Sequence, residues 1–213
     1  MKRRLALLTL IMLPVLAHCE PAKEAEKPAT PAAAKSGKVR LKTSQGDIVL
    51  ELNAGKAPIT VANFLSYVNK KHYDGTVFHR VIDDFMIQGG GFALEGKSLV
   101  EKESGEGIKN ESQNGLKNEL GTIAMARTND PDSATAQFFI NVKDNTMLDY
   151  PSNNGYAVFG KVVEGMDVVT KIKATATGSS GLTMRHPVTG DKIEAPSTDV
   201  PKENIVILSA TAE

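Results

Sequence analysis

The stretch FHRVIDDFMIQGGG, residues 78–91, places one permanent cation, Arg80, among bulky apolar side chains and ends on three glycines. Arg80 carries a rigid fork of hydrogen-bond donors and keeps its charge at any biological pH. In an apolar wall, such a fork needs either a protein partner or a ligand that accepts hydrogen bonds. The glycines let the backbone turn tightly or lie close to a neighbour. Taken alone, the stretch is equally typical of a core strand with a buried ion pair and of a binding wall.

Four motifs further along the chain favour the second interpretation, in which residues 78–91 form part of a ligand-binding site. They are GTIAMAR at residues 121–127, AQFFI at residues 136–140, MLD at residues 147–149 and YAVFGKV at residues 156–162. In this order and at these spacings, the set resembles the cyclophilin family of peptidyl-prolyl cis-trans isomerases, most closely its secreted, periplasmic bacterial type. The resemblance runs from about residue 39 to the C-terminus, so we expect one cyclophilin-like domain over residues 39–213.

The hydrophobic pattern of this domain indicates a mainly β protein. Apolar residues alternate over 39–43 and 48–52 around a turn, which predicts a hairpin. Apolar side chains at Val61, Phe64 and Val68 have the spacing of one face of a helix. Pro58 suits the first position of this helix. Further short strands are predicted at 76–81, 85–88, 123–126, 138–141, 158–163 and 205–209, and a second helix at 166–173.

Many short strands with two isolated helices favour a closed antiparallel barrel. The resemblance implies a closed eight-stranded antiparallel β-barrel capped by two α-helices. Residues 92–120 are polar and weakly periodic, and we expect a long loop there. Residues 174–203 are rich in Gly, Ser, Thr and Pro and look longer than the family usually has at this point. Nothing in their sequence gives this insertion a function.

Composition limits the function further. The formal net charge is +0 and Trp is absent, which argues against nucleic acid as a partner. Cys19 is the only cysteine, so neither an internal disulfide nor a cysteine-based metal site is expected. His79 is expected to face the core, and the acidic cluster of Glu101, Glu103 and Glu106 to be a solvated face. No cofactor and no metal are expected, and the default oligomeric state is a monomer.

The N-terminus predicts export. Residues 1–18 join a basic start to an apolar run that is too short to span a bilayer, as in a signal peptide. Residues 19–38 form an Ala/Pro/Lys/Glu-rich linker that behaves as an extended tether. Cys19 after Leu16-Ala17-His18 looks like the lipidation site of a bacterial lipoprotein, although His18 departs from the small residue preferred there. A lipid anchor and plain soluble export to the periplasm both stay open.

The resemblance implies the site residues position by position. Arg80 matches the catalytic arginine, which hydrogen-bonds the substrate around the proline and stabilises the pyramidal nitrogen of the twisted state. Gln88 matches the residue that orients this arginine, and Phe85 belongs to the pocket that takes the proline ring. The other substrate-binding positions are Met86, Ala126, Arg127, Thr128, Gln137, Phe139, Met147, Leu148 and Tyr156.

Three of these positions depart from common members of the family. Arg127 stands where many eukaryotic members carry Asn, although bacterial members often have Arg. Met147 stands where cyclosporin-sensitive members carry Trp, and because Met has no N–H donor we expect weak cyclosporin binding. Tyr156 replaces a pocket-lining His and keeps an apolar contact and a hydroxyl.

The sequence therefore predicts an isomerase of X-Pro bonds that acts on proline-containing polypeptides during the folding of exported proteins. Two alternatives stay open. One is a module that holds proline-containing segments without isomerising them, and the other is a structural surface lipoprotein.

Overall fold

The computed structural model describes residues 37–185 and 189–213. The predicted signal peptide, Cys19 and nearly all of the predicted linker lie outside the described residues. Among the residues described, no helix is long and apolar enough to cross a membrane.

The described chain is mainly β, with eleven strands and two α-helices. The strands are β1 (Lys38–Thr43), β2 (Gly46–Leu52), β3 (Thr76–Ile82), β4 (Met86–Glu95), β5 (Ser98–Glu101), β6 (Thr122–Met125), β7 (Phe138–Asn141), β8 (Val158–Glu164), β9 (Thr177–Arg185), β10 (Lys192–Pro201) and β11 (Ile207–Ala212). The helices are α1 (Pro58–Asn69) and α2 (Met166–Lys173), and short 3₁₀ turns lie at Thr146–Leu148 and Ser152–Asn154.

All eleven strands belong to one sheet, in the order β10-β9-β5-β4-β7-β6-β8-β2-β1-β11, with β3 paired to β4. Every pairing is antiparallel except that of β5 with β9. The sheet is thus an open path with β10 and β11 at its ends, and the predicted closed barrel of eight strands is not what these pairings show. β3 is joined to the residues before β11 by an isolated bridge between Val77 and Val206, where the backbone N–H of Phe78 donates to the carbonyl oxygen of Ile205 at 3.0 Å.

Three strands account for the difference in number. The long loop predicted over residues 92–120 contains the last four of the ten residues of β4 and all of β5. The insertion at 174–203 forms the hairpin of β9 and β10. These strands form a second small core together with β3 and β4, made of Val77, Phe92, Leu99, Leu182 and Val200.

The main core lies beneath α1. This helix begins at Pro58, as predicted, and buries Val61, Phe64 and Val68. The Phe64 ring packs against Phe138 with ring centres 5.8 Å apart and an edge-on angle of 87°. Such edge-to-face aromatic contacts fix the helix over β7, which carries part of the site described below.

Helix α2 buries Val168, Val169 and Ile172 and follows Gly165. Gly165 has a φ of +87°, and a Cβ atom there would lie 2.2 Å from the carbonyl oxygen of Asp47. Only glycine can therefore occupy this turn without moving the backbone.

Steric contacts explain why the 78–91 stretch ends on three glycines. Gly90 has a φ of +85°, and a Cβ atom on it would lie 2.9 Å from the rings of both Phe138 and Tyr73. A Cβ atom on Gly91 would lie 2.4 Å from the Cγ of Gln137. The triple lets β4 lie directly against these side chains, in keeping with the close approach predicted from the sequence.

Candidate active site

Strand register brings the predicted site residues together. Arg80 on β3 is paired with Gln88 on β4, and Gln88 is paired in turn with Phe139 on β7. Phe139 is paired with Ala124 on β6. Residues that are far apart in sequence therefore form one row across four neighbouring strands.

A pocket of about 180 Å³ opens on this row. Its lining consists of Arg80, Phe85, Met86, Gln88, Ala126, Arg127, Phe139, Leu148 and Tyr156. Nine of the predicted catalytic and substrate-binding residues thus line a single cavity.

The floor of this pocket is apolar. Met86 and Phe139 are buried and pack with Ala124 and Val158, while Phe85 and Leu148 close the sides. The Phe139 ring meets the Tyr156 ring edge-on, with centres 5.7 Å apart. A small aliphatic ring can fit into such a pocket with its polar neighbours left at the mouth.

Arg80 is half-buried at the edge of this apolar floor. Within residues 37–185 and 189–213, its guanidinium takes part in none of the ion pairs. The core-strand interpretation required a buried ion-pair partner for this group. Because none of the described residues supplies one, the donors of Arg80 are available to a ligand.

Within the described residues, the Oε1 atom of Gln88 accepts no hydrogen bond from the guanidinium of Arg80, which can only donate. The Nε2 atom of Gln88 donates to the Oε1 atom of Gln137 at 2.9 Å. The predicted orienting role of Gln88 therefore has no direct hydrogen bond behind it in the described structure, only the cross-strand pairing of the two residues.

Arg127 also lines the pocket, and carbonyl oxygens of the segment 153–155 accept hydrogen bonds from most of its N–H groups. Its Nη2 atom donates to the carbonyl oxygen of Gly155 at 3.1 Å and to that of Asn153. Its Nη1 atom donates to the carbonyl oxygen of Thr128 at 2.8 Å. The guanidinium also lies over the Tyr156 ring. Arg127 thus joins the end of β6 to the segment that carries Tyr156.

A second recess of about 180 Å³ adjoins the pocket and shares Gln88, Ala126 and Arg127 with it. The rest of its lining is polar and comprises Glu101, Thr128, Ser133, Thr135 and Gln137. Its single carboxylate, Glu101, is half-buried rather than part of a solvated face. The Oε2 atom of Glu101 accepts a hydrogen bond from the backbone N–H of Arg185 at 2.9 Å, so the inserted hairpin reaches the edge of this recess.

With this geometry established, comparison with known proteins identifies the family. The family model described as "Cyclophilin type peptidyl-prolyl cis-trans isomerase/CLD" matches residues 38–212. The chain belongs to this family. A peptidyl-prolyl cis-trans isomerase of Streptomyces antibioticus is 61% identical over 146 residues, covering 67% of this chain and 86% of that protein. Peptidyl-prolyl cis-trans isomerase B of Escherichia coli is 50% identical over 177 residues, covering 81% of this chain and 98% of the relative.

The cyclophilin fold is also seen in solved structures. A cyclophilin type peptidyl-prolyl cis-trans isomerase of Cryptosporidium parvum matches with a TM-score of 0.63 at 23% identity, over 84% of this chain and 98% of that one. A second crystal structure of that protein was solved in the presence of the dipeptide Ala-Pro. Together, the family match and the well-covered relatives show that this cyclophilin is a peptidyl-prolyl cis-trans isomerase.

Thr128 and Gln137, two of the predicted substrate-binding residues, lie outside the pocket described first, and a third, Met147, lies outside both recesses of this cyclophilin. Thr128 and Gln137 line the second recess. Met147 lies in the 3₁₀ turn Thr146–Leu148 with 58% of its surface exposed. The next residue, Leu148, lines the pocket instead.

Sequence reasoning missed three residues that line the second recess, namely Glu101, Ser133 and Thr135. Glu101 follows only two apolar residues, Leu99 and Val100, and so short a run does not indicate a strand. Ser133 and Thr135 lie in a turn-rich segment that carries no strand signal either. In the described ranges, no three His, Cys, Asp or Glu side chains are grouped so that they could hold a metal ion.

Proposed function

We propose that isomerisation takes place in the pocket of about 180 Å³, with Arg80 as the catalytic residue and the apolar floor holding the proline ring. The observation that carries this proposal is the position of Arg80. It is a permanent cation at the edge of an apolar pocket, without an ion-pair partner among the described residues.

Isomerisation of an X-Pro bond requires little of a catalyst beyond a charged hydrogen-bond donor such as Arg80. Amide resonance gives the X-Pro bond a barrier of about 20 kcal/mol, and uncatalysed isomerisation takes tens of seconds or longer. Twisting the bond frees the lone pair of the proline nitrogen, which becomes pyramidal and can accept a hydrogen bond. Shortening about 20 s to about 1 ms requires roughly 6 kcal/mol of preferential binding to the twisted form. A charged donor in a dry pocket, together with oriented hydrogen bonds, can supply stabilisation of this size.

The remaining residues hold the peptide around this bond. Phe85, Met86, Phe139 and Leu148 surround the space for the proline ring, which buries its apolar surface there. Gln88 lines both the pocket and the second recess, and from there it contacts the substrate backbone. The edge formed by Ala126 and Thr128 guides the peptide toward the second recess, where a neighbouring side chain is bound. The Ala-Pro dipeptide used with the Cryptosporidium parvum relative supports a proline-containing peptide as substrate.

The exported layout predicted from the sequence completes the proposal. Residues 1–18 serve as a signal peptide, and residues 19–38 carry a lipidated Cys19 and a tether. Residues 39–213 form an isomerase domain that assists the folding of proteins in the cell envelope, as a monomer. Metabolic labelling with a radioactive fatty acid tests the anchor. Label that is lost in Cys19→Ser supports lipidation, and an unlabelled wild type leaves plain soluble export.

The catalytic assignment is tested by measuring the exchange rate of a short X-Pro peptide by NMR. We expect Arg80→Ala to lower kcat/KM by about a hundredfold or more, because a charged hydrogen bond to the twisted state is lost. Arg40→Ala is the matched control, since Arg40 is also an arginine on a strand but pairs with Glu213 and Asp47. Full activity in Arg80→Ala would place the reaction elsewhere. Peptide binding without accelerated exchange in the wild type would favour the holding module.

A further inference from the structure

Three buried asparagine side chains form a chain of hydrogen bonds that reaches the backbone of two residues of the pocket lining. Asn118, Asn141 and Asn145 are each at most 2% exposed. The Nδ2 atom of Asn145 donates to the Oδ1 atom of Asn141 at 2.7 Å. The Nδ2 atom of Asn141 donates to the Oδ1 atom of Asn118 at 3.2 Å. We refer to these three residues as the asparagine chain.

Each end of the asparagine chain holds the backbone of a pocket residue. At one end, the Nδ2 atom of Asn145 donates to the carbonyl oxygen of Phe85 at 2.7 Å. At the other end, the Nδ2 atom of Asn118 donates to the carbonyl oxygen of Leu148 at 3.2 Å. Phe85 and Leu148 are the two side walls of the pocket and belong to segments that are more than sixty residues apart. The asparagine chain therefore connects the backbones of the two walls.

Further hydrogen bonds fix the asparagine chain in place. The backbone N–H of Asn118 donates to the Oδ1 atom of Asp149 at 2.8 Å. The backbone N–H of Asn145 donates to the carbonyl oxygen of Asn118 at 2.7 Å. The Nδ2 atom of Asn141 also donates to the hydroxyl of Thr122 at 2.9 Å. With so many bonds, neither wall can shift without breaking several buried hydrogen bonds at once.

One atom of the asparagine chain is not satisfied. The Oδ1 atom of Asn145 is buried and has no hydrogen-bond partner among the described residues. An unpaired buried acceptor reduces stability, and each such group calls for an explanation. The two donor bonds of the same amide, to Phe85 and Asn141, supply one. The side chain is placed for what it donates to the pocket wall, at a cost to the stability of the fold.

We propose that the asparagine chain is a positioning network that sets the separation of the Phe85 and Leu148 walls and thereby the grip of the pocket on the twisted X-Pro bond. This inference rests on the proposed function of the pocket. The three residues of the asparagine chain are not in the pocket lining, and they act on the substrate through Phe85 and Leu148. Loosening the walls weakens binding of the twisted state, for which the spacing is set, more than it weakens the fold.

The test compares Asn145→Ala with Thr43→Ala. Thr43 is a suitable control because it is also buried and makes two local hydrogen bonds, with the backbone of Gly46 and Gln45, in the β1–β2 turn away from the pocket. Both variants are assayed at a temperature at which circular dichroism shows them fully folded. We expect kcat/KM to fall about tenfold in Asn145→Ala and to stay within about twofold of wild type in Thr43→Ala. If Asn145→Ala does not fold, Asn145→Ser takes its place, with the same expectation.

A second readout follows the coupling itself. The carbonyl carbon-13 shift of Leu148 reports the two hydrogen bonds that its oxygen accepts, one from Asn118 at 3.2 Å at the far end of the asparagine chain and one from the backbone N–H of Tyr156 at 2.9 Å. We expect this shift to change in Asn145→Ala and not in Thr43→Ala. An unchanged Leu148 signal, or unchanged kcat/KM in folded Asn145→Ala, would overturn the proposal. If Arg80→Ala keeps wild-type activity, the pocket assignment itself fails, and the Leu148 signal alone then decides whether the asparagine chain couples the walls.

Discussion

The guanidinium of Arg127 lies 4.4 Å from the centre of the Tyr156 ring. Both residues line the pocket, and the same guanidinium donates to the carbonyl oxygens of Gly155 and Thr128. A cation over an aromatic face contributes about 0.5–1 kcal/mol at exposed sites and more when desolvated. Arg127 therefore holds the Tyr156 wall in place by stacking and by hydrogen bonds, and its planar fork suits both tasks.

From this arrangement, we predict that Arg127→Ala lowers kcat/KM by about tenfold, because the Tyr156 wall loses its support. Arg127→Lys should restore little, since an ammonium cannot make the same set of bonds with a planar group. Tyr156→Phe keeps the ring and should stay within about twofold of wild type. NMR exchange rates with one X-Pro peptide measure all three. If Tyr156→Phe is as impaired as Arg127→Ala, the tyrosine hydroxyl matters and the stacking argument fails.

The carboxylate in the second recess predicts a charge preference. Among the described residues, Glu101 is the only acidic one in that lining, and a solvent-exposed charge pair contributes up to about 1 kcal/mol. We compare peptides that differ only in the residue next to the X-Pro pair whose side chain enters the second recess. We expect kcat/KM to be about fivefold higher when this residue is Lys than when it is Glu.

Glu101→Gln tests this preference, because it removes the charge and keeps an acceptor for the backbone N–H of Arg185. The ratio between the two peptides should fall toward one in this variant, and should also fall in wild type as salt is raised. If the ratio of kcat/KM between the Lys and Glu peptides is the same in Glu101→Gln as in wild type, the second recess does not discriminate between peptides by charge.

The site was more predictable than the sheet around it. Arg80, Phe85, Gln88 and the glycine triple lie in one continuous stretch, so their grouping follows from local register. The role of Glu101 depends on β5, a strand of only four residues, Ser98–Glu101, which is too short to show a period. The asparagine chain joins residues that only the folded sheet brings together, and no spacing in the sequence indicates it.

The strands β9 and β10 were missed for a different reason. Most of their residues are exposed or half-buried on both faces, so the alternation that marks a strand with one buried face is lacking. They pair because Leu182 and Val200 reach the small second core, a contact that cannot be read from a polar, Gly-rich segment. Their Pro and Thr content indicates a loop equally well.

The exposed position of Met147 bears on inhibition by cyclosporin. The Met147 side chain is 58% exposed beside the pocket and has no N–H group to donate to the drug. We expect wild type to be inhibited only at concentrations well above micromolar. Met147→Trp should lower the inhibition constant by about tenfold, the gain from one good hydrogen bond. Tight inhibition of wild type, measured in the exchange assay, would contradict this expectation.

His79 predicts a loss of stability at mildly acidic pH. Burial, with a contribution from the neighbouring charge of Arg80, lowers the pKa of His79 to about 4, against 6.5 for the free side chain. The unfolded chain therefore binds a proton between these two values that the folded chain excludes. The stability from neutral His79 is complete above pH 6.5 and is lost as the pH falls toward 4.

Between pH 7 and pH 5, this linkage lowers the free energy of unfolding by about 2 kcal/mol. Urea denaturation of wild type and His79→Gln at both pH values measures it. The variant is expected to be less stable at pH 7, because it disturbs the contact with the Phe92 ring, whose centre lies 4.6 Å from that of His79. Its loss between pH 7 and pH 5 should nevertheless be smaller than that of wild type. His72, whose pKa burial also lowers, accounts for part of the remaining slope. An equal loss in both proteins would mean that His79 is not the group that titrates.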